Sequence, residues 1–93
     1  MTYMTAMNLE VVIYGSDGCH WCVTAKEFFT KRDIKFEYKD VRNQENLEEM
    51  LEVNGGQEAI PTIVIGDLFT IGAGEDKLEA MLKEALKASD ESE

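Results

Sequence analysis

The stretch VVIYGSDGCHWC, residues 11–22, decides the fold of this chain. An apolar, β-branched segment leads through a glycine-containing turn into the only two cysteines of the sequence, which are spaced as C-x-x-C. A helical pattern from Val23 to Arg32 follows directly. A strand, a turn and a dithiol that opens a helix form an arrangement typical of thiol chemistry rather than of a structural cross-link.

Length and composition indicate one globular domain. The chain has 93 residues, 44% of them hydrophobic, and a single proline, which is ordinary for a folded protein but too short for two cores. The formal net charge is −10, and the 9 basic residues are interleaved with acids. Because phosphate binding needs clustered Lys and Arg, we expect no nucleic-acid partner. Separately, we expect the protein to be a monomer.

The amino terminus lacks the features of a signal peptide. Residues 1–8 have neither a basic start nor an apolar core, so we interpret them as a loose N-terminal leader. No apolar run approaches the roughly 18 residues of a membrane span. We therefore expect a cytoplasmic protein with no membrane partner. In that reducing compartment, two close cysteines are catalytic or metal-binding rather than a structural staple.

Outward from the dithiol, the spacing of apolar residues predicts the element order β-α-β-α-β-β-α. The predicted strands are residues 10–14, 35–41, 63–65 and 68–71, and the predicted helices are residues 19–32, 43–54 and 75–88. Gly55-Gly56 is a natural helix stop, and Gly66-Asp67 predicts the turn of a tight β-hairpin. Residues 9–88 then form one α/β domain, and 89–93 form an acidic, frayed tail.

The two cysteines are predicted to have different roles. Residues i and i+3 of a helix lie one turn apart on the same side, within the Cα separation of about 4.4–6.8 Å that a disulfide needs. At the helix start, Cys19 faces free backbone N–H groups, which lower its pKa from about 8.5. Cys22 lies on the apolar stripe and should be buried. We therefore predict that Cys19 is the nucleophile and that Cys22 resolves the mixed disulfide.

The residues between the cysteines are candidates for tuning and substrate contact. His20, when protonated, would stabilise the thiolate and make the couple more oxidising, although an exposed residue without a role is an equally good interpretation. Trp21 offers a flat apolar surface to a substrate. Adjacent residues rarely bind one metal ion together, so His20 and Cys19 do not predict a zinc site.

The Ile60-Pro61 segment is the second predicted part of the site. This topology places it beside the dithiol, and an X-Pro bond before a strand is a candidate for the cis form. A cis bond would expose the backbone of Ile60 to an extended peptide, which pairs with it like an added strand. The alternative is an ordinary strand-initiating proline, but the upstream C-x-x-C favours the functional interpretation.

Three segments in this order, residues 11–22, 56–65 and 71–78, resemble the glutaredoxins of the thioredoxin superfamily. The resemblance implies a thioredoxin/glutaredoxin-like fold with a four-stranded mixed sheet flanked by three helices. It also implies a nucleophilic Cys19 and a resolving Cys22, and a cis bond before the proline of the second segment. The chain is also similar to the redoxins that supply electrons to ribonucleotide reductase and are recycled by thioredoxin reductase.

The resemblance further implies a glutathione site. In the family, glutathione lies along the residue before the proline, with its charged ends near the loop at 72–76. The implied binding residues are Trp21, Ile60, Pro61, Gly74 and Glu75. Acidic residues occupy positions where basic or amide groups are usual in the family. Because glutathione carries two carboxylates, we expect it to bind weakly.

These observations predict a dithiol oxidoreductase that reduces disulfides in protein substrates. Its electron donor is either the glutathione system or thioredoxin reductase, and no bound cofactor is expected. The alternative is an iron–sulfur cluster carrier, in which Cys19 from two copies would bridge a cluster. Two cysteines per chain cannot fill a four-thiolate site without dimerisation or external thiols, so the oxidoreductase is the preferred hypothesis.

Overall fold

The computed structural model describes residues 10–66, 68–72 and 74–91, and the proposed leader at 1–8 lies outside them. Four strands and three helices follow one another in the predicted order. The strands are β1 (Val11–Gly15), β2 (Glu37–Asp40), β3 (Thr62–Ile65) and β4 (Leu68–Ile71), and the helices are α1 (His20–Lys31), α2 (Gln44–Val53) and α3 (Glu75–Glu91). No helix in the described ranges is long and apolar enough to cross a bilayer.

The strands form one mixed sheet in the order β2-β1-β3-β4. β1 pairs in parallel with β2 and antiparallel with β3, and β3 pairs antiparallel with β4. All five residues of β1 are buried, as expected for an apolar central strand that is covered on both faces. The four-stranded mixed sheet with three helices confirms the predicted fold class.

Alternate residues of the central strands face two separate apolar layers. Ile13 and Ile63 pack against α1 and α3 on one face of the sheet. Val12 and Tyr14 pack against Met50 of α2 on the other face. The dithiol begins α1, so the chemistry belongs to the face that α1 and α3 share.

Several predicted boundaries differ from the observed ones by one to three residues, including those of α1, β2 and α3. Cys19 is not the first helical residue but the N-cap of α1, with an extended backbone at φ −88° and ψ 115°. β2 begins at Glu37 instead of Lys35, because the chain first closes α1 through a bond from the Ile34 amide to the Phe29 carbonyl at 2.9 Å. α3 extends beyond the predicted Ala88 to Glu91, since the expected tail contains no glycine or proline to stop a helix.

The turns follow their local signals closely. Asn43 caps α2, and its side-chain oxygen accepts bonds from the amides of Glu45 at 2.9 Å and Asn46 at 3.3 Å. Gly66 has a φ of +60° in the β3–β4 hairpin, which a residue with a side chain rarely adopts. Asp67, its predicted partner in the turn, lies outside the described residues. These turns bring the start of β3 back beside the end of β1.

Candidate active site

Cys19 lies at the positive end of α1. Its Sγ accepts a hydrogen bond from the backbone amide of Cys22 at 3.3 Å, which is one of the N–H groups that a helix start leaves without an internal partner. The side chain of Cys19 is partly exposed, and both cysteines are free thiols. The cap position therefore leaves the sulfur accessible and directs a backbone N–H toward it.

Cys22 is fully buried, at 0% exposure. Burial, together with its interaction with Cys19, raises the pKa of the Cys22 thiol to about 11. The backbone of Ser16 and the hydroxyl of Tyr38 act in the opposite direction and lower this pKa. The predicted difference between an exposed and a buried cysteine is confirmed, and near neutral pH Cys22 is held as a neutral thiol.

Gly15 leaves the space that the Cys22 sulfur occupies. A Cβ at this position would lie 2.9 Å from the hydroxyl oxygen of Tyr38 and closer still to the Sγ of Cys22. No side chain fits there without displacing one of them. Neither Gly15 nor Tyr38 was expected at the site from the sequence, in which Tyr38 lies within the predicted strand 35–41.

The two residues between the cysteines lie at the surface. The rings of His20 and Trp21 meet edge to face with centroids 5.1 Å apart. Trp21 is 48% exposed, and one edge of its indole lies beside Gly74, where an added Cβ would be 3.7 Å from the ring. The indole therefore lies between the dithiol and the loop before α3.

Ile60-Pro61 reaches the site through the sheet. The peptide bond between them is cis, as the sequence predicts. The β1–β3 register pairs Tyr14 with Thr62, so the preceding Pro61 lies next to the end of β1, where Gly15 meets the buried sulfur. The carbonyl of Pro61 accepts a bond from the amide of Gly72 at 2.8 Å. The three segments that were singled out in the sequence thus converge on one end of the sheet.

A buried asparagine holds the chain that leads into Pro61. The side-chain amide of Asn54, 1% exposed, donates to the carbonyl of Gln57 at 2.8 Å and to Oγ1 of Thr62 at 3.0 Å. Its side-chain oxygen accepts from the amide of Gln57 at 2.9 Å. The Thr62 hydroxyl donates in turn to the carbonyl of Ala59 at 3.0 Å. Asn54 was read in the sequence only as a helix end.

Arg42 changes the expected charge of the site. Its guanidinium donates to Asp17 at 3.0 Å and to Asp40 at 2.7 Å. The bonds from Arg42 hold the pKa of the Asp40 carboxyl below its usual value. Asp17, which precedes the dithiol, is therefore paired with a cation that the sequence did not place there. The pair is exposed, so it contributes little to stability.

The remaining acids near the proposed glutathione site are at the surface. Glu58 and Glu75 are both exposed, and Glu75 begins α3. Within the described ranges, no three His, Cys, Asp or Glu side chains are grouped so that they could hold a metal ion.

Comparison with known proteins agrees with this geometry. A family model described as Glutaredoxin matches residues 11–70. Glutaredoxin 1 of Escherichia coli (strain K12) is 33% identical over 87 residues, which cover 86% of this chain and 100% of that protein. An N-acetyl-S-hydroxy-L-cysteine reductase of Bacillus subtilis (strain 168) is 28% identical over 58 residues, and this chain spans only 62% of its length.

Solved structures share the fold. The crystal structure of a glutaredoxin from Archaeoglobus fulgidus has a TM-score of 0.69 and 26% identity, covering 81% of this chain and 87% of that chain. The buckwheat glutaredoxin–glutathione complex has a TM-score of 0.64 at 15% identity, covering 94% of this chain and 84% of that chain. At that identity, the likeness to the buckwheat protein concerns the fold alone.

Proposed function

The chain belongs to the glutaredoxin family of thiol–disulfide oxidoreductases, and we propose that it reduces protein disulfides through Cys19 and Cys22. The observation that carries the proposal is the hydrogen bond at 3.3 Å from the Cys22 amide to the Cys19 sulfur at the start of α1. The bond points a backbone N–H at the exposed sulfur, and a thiolate at this position is the form that attacks a disulfide.

The reaction takes two exchanges. The Cys19 thiolate attacks one sulfur of the substrate disulfide, and the other substrate sulfur leaves as a thiolate that takes up a proton. The Cys22 thiolate then attacks the Cys19 sulfur and releases the second substrate thiolate. The substrate gains two electrons and two protons, and the protein is left with a Cys19–Cys22 disulfide.

Protein substrates are proposed to dock between the indole of Trp21 and the Ile60-Pro61 segment. Trp21 supplies exposed apolar surface next to the nucleophile, and the Asn54 bonds fix the segment that enters Pro61. His20, exposed beside Trp21, is proposed to tune the couple when it is protonated. Gly74 and Glu75 border the same surface from the start of α3.

The test is insulin reduction with the single cysteine variants. Cys19→Ser is expected to abolish the activity, because it removes the attacking sulfur. Cys22→Ser is expected to accumulate a mixed disulfide with the substrate, which mass spectrometry detects. If Cys19→Ser is shown by circular dichroism to be folded and still reduces insulin at the wild-type rate, the proposal is wrong.

For the electron donor, we propose the glutathione system. Arg42 offsets the charge of Asp17, whereas Glu58 and Glu75 remain exposed acids, so a high KM for glutathione is expected. The oxidised protein is to be mixed either with glutathione and its reductase or with thioredoxin reductase. If thioredoxin reductase reduces the oxidised protein and glutathione does not, thioredoxin reductase is the electron donor and the proposed glutathione donor is wrong.

We further propose that the protein is cytoplasmic, since a reduced dithiol needs a reducing compartment. We also propose that it is a monomer. The cluster-carrier alternative would depend on Cys19 of two copies, because Cys22 is fully buried. Anaerobic reconstitution with iron and sulfide is expected to leave the protein colourless and monomeric on size exclusion. A coloured dimer that is lost in Cys19→Ser would favour the cluster carrier.

A further inference from the structure

The resolving step poses an electrostatic problem at Cys22. Its thiol is fully buried, and burial raises its pKa to about 11. Yet this sulfur must become a thiolate before it can attack Cys19 in the mixed disulfide. Any group that stabilises negative charge on the Cys22 sulfur therefore controls the second half of the reaction.

Tyr38 presents its hydroxyl to that sulfur. The β1–β2 register pairs Tyr38 with Ile13, and its half-buried side chain packs against the layer that α1 covers. The hydroxyl oxygen and the Cys22 sulfur both border the space where a Cβ of Gly15 would lie. Burial and then the charge of Cys22 raise the pKa of Tyr38, so the phenol keeps its proton and remains a hydrogen-bond donor.

Lys26 adds a positive charge to the same arrangement. Its Nζ lies over the ring of Tyr38, 4.3 Å from the centroid, within the range of a cation–π interaction. Lys26 follows Cys22 by one turn of α1, so the helix that carries the sulfur also fixes the ring. A cation over the ring draws electron density from it, which strengthens the O–H group as a donor.

We propose that the Tyr38 hydroxyl donates a hydrogen bond to the Cys22 sulfur and stabilises its thiolate in the resolving step. The inference rests on the proposed function, because it concerns the second exchange of that reaction. The proton of Cys22 passes to solvent, the new S–S bond forms between Cys22 and Cys19, and the second substrate sulfur leaves with the bonding electrons. Tyr38 keeps its own proton throughout.

The groups around the sulfur define what a pH profile reports. They are Cys19 at the N-cap of α1, Lys26 on the same helix, Tyr38 on β2 and Asp40, whose charge acts on Tyr38. Cys19 is consumed in the mixed disulfide before the second exchange begins. His20 is retained in every variant, so differences between variants in the rate of that exchange follow the ionisation of Cys22.

The experiment is a stopped-flow reaction of the reduced protein with 4,4′-dithiodipyridine. The first equivalent of thiopyridone reports the attack by Cys19, and the second reports the attack by Cys22. Tyr38→Phe keeps the ring and removes only the hydroxyl. Tyr14→Phe is the matched control, because the hydroxyl of Tyr14 donates to Glu49 at 2.6 Å on the other face of the sheet.

In Tyr38→Phe, the second phase is expected to slow about threefold at every pH from about 6 to 8, with the first phase unchanged. Loss of a charge-assisted bond raises the pKa of the Cys22 thiol and so lowers its thiolate fraction, and the greater nucleophilicity of a more basic thiolate recovers part of the rate. Tyr14→Phe is expected to leave both phases unchanged.

A second variant, Lys26→Met, retains the hydroxyl and is expected to slow the second phase by less than Tyr38→Phe does. A second phase in Tyr38→Phe that equals the wild-type rate would overturn the inference, as would equal slowing in Tyr14→Phe. These outcomes are distinct from failure of the proposed function, in which Cys19→Ser would still release the first thiopyridone at the wild-type rate.

Discussion

Gly15 is the residue on which the interior of the site depends. Its backbone needs no unusual φ, so its role is spatial. The position where a Cβ would be is bordered by the sulfur of Cys22 and the hydroxyl of Tyr38. A glycine at the end of β1 therefore lets a helix, a neighbouring strand and the central strand meet at one sulfur atom.

Gly15→Ala is expected to destabilise the protein by about 1–3 kcal/mol, as insertion of a methyl group into a packed interior usually does. Chemical denaturation of the reduced protein measures the change. Gly74→Ala is the matched control, because its added Cβ would meet only the Trp21 ring at 3.7 Å, an ordinary contact distance. Equal unfolding free energies for the Gly15→Ala and wild-type proteins would contradict the close packing at Cys22.

Cys22 also links stability to alkaline pH. Its pKa is raised to about 11 in the folded protein from its ordinary value of 9.0, so the native state holds this proton more tightly than the unfolded state does. The resulting stability is fully present below about pH 9 and is lost as pH rises toward 11, with a slope of at most about 1.4 kcal/mol per pH unit.

The measurement is the unfolding free energy of the reduced protein between about pH 8 and 11. Cys22→Ser, which lacks the ionisable thiol, is expected to lose less stability over this range than the wild type. Parallel curves for the two proteins would show that the Cys22 thiol does not have a raised pKa.

Asn54 connects α2 to β3, the strand that follows Pro61. Its side chain donates to Gln57 and Thr62 and accepts from Gln57. The segment between these elements has no regular structure, so these bonds replace the ladder or helix bonds that its backbone lacks. The approach to Pro61 is therefore fixed from α2, on the face of the sheet opposite the dithiol helix.

Asn54→Ala is expected to lower the unfolding free energy by about 2–3 kcal/mol, because it leaves buried partners without hydrogen bonds. It should also raise KM for a protein disulfide more than it lowers kcat, since the docking segment loses its support. Asn43→Ala is the control: it removes an exposed helix cap worth about 1 kcal/mol and should leave KM unchanged. An unchanged KM in Asn54→Ala would show that the hydrogen bonds of Asn54 do not affect substrate docking.

The elements were predictable where local signals mark their ends, whereas individual side-chain contacts between elements were not. Asn43 and Gly55-Gly56 bound α2 by short-range capping and turn chemistry, which a sequence displays directly. Tyr38 and Cys22 are 16 positions apart, and their meeting depends on the β1–β2 register and on the empty position at Gly15. The pairing of Arg42 with Asp17 likewise appears only once β2 lies beside β1.

For the molecule as a whole, the net charge of −10 should select among substrates. Acids outnumber bases by 19 to 9. The electrostatic field of the protein therefore favours the approach of positively charged partners and speeds their association at low salt. The effect should fade when the Debye length falls to about 8 Å at physiological ionic strength.

Two peptides with the same disulfide, one flanked by lysines and one by glutamates, test this expectation. At low salt, the lysine peptide should be reduced at least several-fold faster in kcat/KM, and at about 1 M salt the two rates should converge. Equal rates at low salt would show that the surface charge does not steer substrates.

The sheet ends in two chemically unequal edges. β2 carries charged residues along its length (Glu37, Lys39 and Asp40), whereas β4 reads LFTI and leaves Phe69 44% exposed. Charged edge strands resist the addition of further strands, and apolar ones invite it. Aggregation of concentrated protein is therefore expected to start at β4. Phe69→Lys is expected to slow that aggregation while leaving both cysteines unchanged.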